Sequence, residues 1–125
     1  MDNDFQNDFG MEESININVK NIFKENGEEL RLATDIEMEL IKIAPSGAMI
    51  KTHFNLEKKM TFCFELPIGR NMLLPVAEII VKGETKEDYL YGCKFVKLPY
   101  DDEAKIKRHI FENQLKNRKG DSHGR

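Results

Sequence analysis

The chain has 125 residues, about one domain with a small core, and its 40% hydrophobic and 33% charged residues are the balance of an ordinary globular protein. A formal net charge of -3 argues against nonspecific nucleic-acid binding as the main job, because that needs a surplus of Lys and Arg on one face. No run approaches the roughly 18 apolar residues of a membrane span, and the start has no basic region followed by an apolar one, so a cytoplasmic protein without membrane insertion is expected.

Residues 1–13 hold Asp2, Asp4, Asp8, Glu12 and Glu13 with only Phe5, Phe9 and Met11 to bury, and read as a flexible acidic arm. Ile15, Ile17 and Val19 then alternate with polar residues, the period of a half-buried strand. Asn26-Gly27 is a hairpin signal, after which Ile36, Met38 and Leu40 alternate in the same way. The phase then slips so that Ile41 and Ile43 are the apolar positions, which predicts a bulge or barrel corner in mid-strand, in preference to a strand simply buried on both faces near its end.

Pro45-Ser46-Gly47 reads as a turn between this strand and a short one over residues 48–52, presenting backbone and small side chains at the rim of a sheet. His53 reads as a solvated loop residue. Phe62, Phe64 and Leu66 form a further alternating strand that ends at Pro67-Ile68-Gly69. Residues 72–82 are apolar but carry Pro75, so the segment should lie partly on an edge or begin properly as a strand only after the proline. Residues 83–88 are a charged hairpin loop, and residues 89–98 return from it.

Pro99 opens a helix with Asp101, Asp102 and Glu103 in its first turn, which complement the helix dipole. Ile106, Ile110, Phe111 and Leu115 form a stripe that can cover one open end of a barrel, with Lys105, Arg108, Glu112 and Lys116 on the far face. Residues 117–125 read as a frayed polar tail. Cys63 and Cys93 form no CxxC unit and read as small core residues of a reducing compartment.

The Gly47 turn, Tyr91-Gly92-Cys93-Lys94-Phe95-Val96 and the closing helix together resemble a PilZ domain. The resemblance implies a mainly β fold over residues 14–116, a small antiparallel β-barrel of about six strands with a C-terminal α-helix. It also implies a place in bacterial cyclic di-GMP signalling, since the family typically binds that dinucleotide through RxxxR on an N-terminal arm and [DN]xSxxG at the rim. Aligning the glycine to Gly47 puts Lys42 in place of Asp or Asn and Ala44 in place of Ser. No Arg precedes Arg31, so the arm has no RxxxR.

Two readings follow from the resemblance. One is a protein-interaction adaptor with weakened or lost nucleotide binding, whose partner belongs to signalling, motility or surface attachment. The other is a direct cyclic di-GMP receptor in which Arg31 and Lys42 are substitute cations beside Ser46 and Gly47. A small barrel that binds single-stranded nucleic acid is a third alternative, disfavoured because such sites need a basic groove interleaved with exposed aromatics. No enzyme constellation, metal-ligand spacing or cofactor motif occurs, so a non-enzymatic protein is expected, with no cofactor beyond cyclic di-GMP as a possible regulatory ligand.

Overall fold

A computed structural model of the chain describes residues 10–123, with side chains described to residue 115. Among the described residues nine strands precede one helix: β1 (Met11–Phe23), β2 (Glu29–Leu30), β3 (Ile36–Ala44), β4 (Gly47–Thr52), β5 (Thr61–Phe64), β6 (Leu66–Ile68), β7 (Asn71–Leu73), β8 (Val76–Glu84), β9 (Tyr89–Lys97) and α1 (Tyr100–His123). Residues 11–13 therefore belong to the first strand and not to the arm. Likewise the backbone of residues 117–123 continues the helix where a frayed tail is expected. The rest of the acidic arm, residues 1–9, lies outside the described residues.

Six strands close into an antiparallel barrel. Around it β1 pairs with β3, β3 with β4, β4 with β9, β9 with β8, β8 with β5, and β5 returns to β1. Ile22 of β1 has Leu30 of β2 on one side and Phe62 of β5 on the other. Thus β2 and β3 form one interrupted return along the same edge of β1, broken by residues 31–35.

The alternation seen in the sequence fills the interior. Ile17, Val19, Leu40, Ile50, Phe62, Phe64, Ile79 and Tyr91 are all buried, and Phe62 and Phe64 pack ring to ring at 5.7 Å. The expected phase slip in β3 is present as a register shift against β4 between Leu40 and Lys42. Beyond it Ile43 and Ala44 are both buried.

The strand expected through Leu66 also differs from the sequence reading. The run through Leu66 is not one strand: β5 ends at Phe64, and Leu66 begins a small hairpin in which Ile68 pairs with Asn71 and Leu66 with Leu73. Pro67 is tolerated there because its ring points away from the ladder's crowded interior, leaving it exposed between buried Leu66 and Ile68. The turn itself is Gly69 and Arg70, with Gly69 at φ +59°.

Helix α1 packs against β3 and β6 and inserts Ile106 and Ile110 into the core. Its acidic first turn is anchored by the Asp102 and Glu103 amides, which donate to the Pro99 carbonyl at 2.9 and 3.1 Å. Phe111 and Leu115, expected on the covering stripe, are exposed instead.

A buried phenol fixes the connection between β4 and β5. Tyr91 Oη accepts from the Leu56 amide at 2.6 Å and donates to the Phe54 carbonyl at 2.6 Å. Burial pushes this hydroxyl above the ordinary tyrosine range, so it stays protonated and able to donate.

Candidate functional site

The rim turn is built by the last residues of β3 and the first of β4. Pro45 and Ser46 are the two turn residues, with Ala44 opposite Gly47 across the closing pair. The turn is tied to β9, whose Phe95 amide donates to the Ser46 carbonyl at 2.8 Å. Gly47 is buried against β9. A Cβ there would lie 3.1 Å from the carbonyl carbon of Cys93 and from Lys94 Cα, and closer still to the Cys93 carbonyl oxygen. Its φ is not in the left-handed region. The glycine is required by close approach of two backbones and not by turn conformation.

Ser46 is exposed at the rim, and Lys42 is half-buried on β3. Across the β1 ladder Lys42 stands opposite Glu12, a carboxylate on the neighbouring strand, and Lys94, which pairs with Gly47 itself, lies 3.8 Å from Glu78. Further along the same barrel wall, Ser14 Oγ donates to Glu39 at 2.7 Å and Lys51 lies 3.5 Å from Glu39. The Ser14 hydrogen bond, followed by the Lys51 charge, holds the Glu39 carboxyl below its usual range. This wall therefore pairs its cations with carboxylates, and Glu39 stays ionised at neutral pH.

Arg31 is exposed in the break between β2 and β3, in a shallow depression shared with Lys20, Glu29 and Asp35. The nine residues of β3 separate it from the rim turn, on the order of 25 Å at strand rise. Gly47, Ser46 and Lys42 thus come together at one end of the barrel, and Arg31 does not join them. His53 is also remote from the turn, beyond the far end of β4, where Nδ1 lies 2.8 Å from Asp88. Among the described residues no cluster of His, Cys, Asp and Glu has the arrangement of a metal site.

Three features of this surface have only weak signals in the sequence. Cys93 is fully buried, and desolvation pushes its thiol far up, but Cys63 is half-buried on the outer face of β5. There it lines a groove of about 730 Å³ with Phe23, Val76, Val96, Lys24 and Lys97. Exposed Met72, Leu74, Tyr100, Phe111 and Leu115 all fall on β7, the residue after it, and α1. Finally, His109 of α1 bonds Glu13 of β1 at 3.0 Å, joining the helix to the first strand near the point where the arm enters.

Known proteins decide what this arrangement of strands is. The PilZ domain of YcgR from Escherichia coli, solved with c-di-GMP, superposes at a TM-score of 0.63 over 93% of this chain and 96% of its own, at 14% identity. The fold is that of a PilZ domain.

The Bacillus subtilis inhibitor of motility MotI (DgrA) matches this PilZ-like barrel at a TM-score of 0.68 and 8% identity, over 88% of the chain. A tetrameric PilZ protein from Xanthomonas campestris, self-assembled through a helical bundle, matches 69% of the chain at a TM-score of 0.55 and 12% identity. The chain spans 51% of the Bacillus protein and 50% of the Xanthomonas protein. No protein-family model and no curated protein sequence matches it.

Proposed function

We propose that the chain is a non-catalytic adaptor of cyclic di-GMP signalling, working through protein contact and with nucleotide binding weakened or lost. The observation that carries this reading is the charge at the rim: Lys42 stands opposite Glu12, Glu39 is ionised nearby, and Arg31 is a barrel length away. A dianionic dinucleotide is gripped in PilZ domains by arginine forks, which pair with phosphate bidentately. Losing two or three such charge-assisted bonds, at about 1.5–3 kcal/mol each, removes most of a micromolar affinity.

Protein contact is supported by the surface of β7 and α1, where Tyr100, Met72 and Phe111 are exposed. These side-chain types are enriched at interfaces. The partner belongs to signalling, motility or surface attachment, as the motility inhibitor MotI illustrates for a neighbour of the same fold. No described helix is long and apolar enough to cross a membrane.

Direct reception of cyclic di-GMP is the second reading, favoured by the rim glycine Gly47 and by the YcgR domain solved with that ligand. Isothermal titration of the full chain with cyclic di-GMP at moderate salt separates the two. The adaptor reading expects no saturable heat into the high micromolar range. Micromolar binding abolished by Lys42→Ala and left intact by Arg31→Ala would establish a receptor with a substitute cation at the rim.

A further inference from the structure

A second concave site lies between the β6–β7 hairpin and helix α1, with a volume of about 320 Å³. The hairpin brings Arg70 and Asn71 to it from above, held in place because Ile68 beneath them is buried in the core. The helix brings Lys105, Arg108, His109 and Glu112, whose i, i+3, i+4 and i+7 spacing puts them on one side of the cylinder. No residue of the rim turn lines this cavity.

The charge here differs from that of the barrel wall. Lys20, Lys24, Lys51 and Lys94 elsewhere each have a carboxylate within 4 Å. Arg70 and Arg108 have no ion-pair partner among the described residues. Lys105 reaches Asp102 at 3.8 Å, and His109 is occupied by Glu13 at 3.0 Å. Glu112 is the one carboxylate among the lining residues. Two unpaired guanidinium groups thus face one cavity in a chain of net charge -3.

We propose that this cavity binds a phosphate group. Each guanidinium is a rigid fork of donors matched to two oxygens of a tetrahedral anion, and a dianion neutralises both forks where a single carboxylate serves one. Lys105 and the Asn71 amide add a third charge and a neutral donor. The volume is at the low end of small-molecule sites, enough for a phosphate with one attached group the size of a sugar. A phosphorylated small molecule and a phospholipid headgroup share this chemistry. Met72 and Leu74, exposed just beyond Arg70, would lie against the acyl boundary in the second case.

Titrating the isotopically labelled full chain with sodium pyrophosphate, at constant ionic strength and followed by amide chemical shifts, tests the site. Saturable shifts at Gly69, Arg70, Asn71, Arg108 and His109 are expected. In the Arg70→Gln, Arg108→Gln double variant the dissociation constant should rise at least about tenfold, as removal of charge-assisted bonds requires. The exposed pair Lys24→Gln, Lys59→Gln should titrate like the parent.

A parallel arm uses phosphatidylcholine vesicles with and without phosphatidylglycerol. Sedimentation with the anionic vesicles that the Arg70→Gln, Arg108→Gln variant loses assigns the headgroup, and pyrophosphate binding without vesicle binding assigns a soluble ligand. Linear shifts spread over all surface lysines together with no vesicle binding would overturn the site. So would a double variant that behaves like the parent in both arms. Neither result bears on the rim turn, whose cyclic di-GMP titration should be the same in the Arg70→Gln, Arg108→Gln variant as in the parent.

Discussion

At Gly47 a single missing atom sets how closely two strands approach. The neighbours that a Cβ would strike are backbone atoms of Cys93 and Lys94, which cannot rotate aside as a side chain can. Relief requires β4 to move away from β9, breaking a ladder that runs from Gly47 to Thr52 and opening a core that contains Ala48 and Ile50. Gly47→Ala should therefore cost at least about 3 kcal/mol, at the upper end of overpacking penalties, read as a lowered urea midpoint. A variant with the parent's midpoint would mean the strands are farther apart than described. That Pro45-Ser46-Gly47 is a turn is legible in the sequence, but the reason for its glycine is not, because the clashing atoms belong to another strand. The same holds for Arg31 and Lys42: both cations are plain in the sequence, whereas the nine-residue strand that sets them at opposite ends of the barrel is a fact of three dimensions.

The helix shows how an element divides its side chains between core and solvent. Ile106 and Ile110 are 0% exposed, whereas Phe111 is 55% and Leu115 40% exposed. Neighbouring positions differ by about 100° around the axis, so Ile110 and Phe111 cannot both be centred on one narrow contact with β3 and β6. An apolar stripe with i,i+4 pairs on two adjacent rows leaves the choice of row open, and the choice is made by the barrel end that Ile106 and Ile110 fill. Ile110→Ala should cost about 2–5 kcal/mol through the cavity it leaves, while Phe111→Ala should stay within about 0.5 kcal/mol of the parent. Equal losses in the two variants, measured by chemical denaturation, would place Phe111 in a contact the described surface lacks. Strand alternation is the more legible signal: β1, the first part of β3, and β5 follow it, and β8 begins at Val76, just after Pro75. The β6–β7 hairpin was hidden because Leu66 continues the alternation of Phe62 and Phe64 without a break in period.

At the scale of the molecule, closure depends on pairs that no local pattern encodes. β1 meets β3 along one edge and β5 along the other, so the first strand cannot be satisfied until both later strands are in place. Periodicity identifies the strands, and the resemblance to PilZ domains supplied their order. Because the helix closes the end of the same core through Ile106 and Ile110, barrel and helix should unfold together. Two spectroscopic signals divide along these lines. The near-ultraviolet ellipticity of Tyr91 and Tyr89, which stack at 6.3 Å with Tyr91 held by Phe54 and Leu56, reports the barrel, and ellipticity at 222 nm is weighted to α1. In urea both should give one midpoint and one slope. A helix signal lost at lower denaturant, with the tyrosine signal intact, would show instead that α1 is a separately stable appendage. The cavity between α1 and the β6–β7 hairpin would then exist only while the helix is docked.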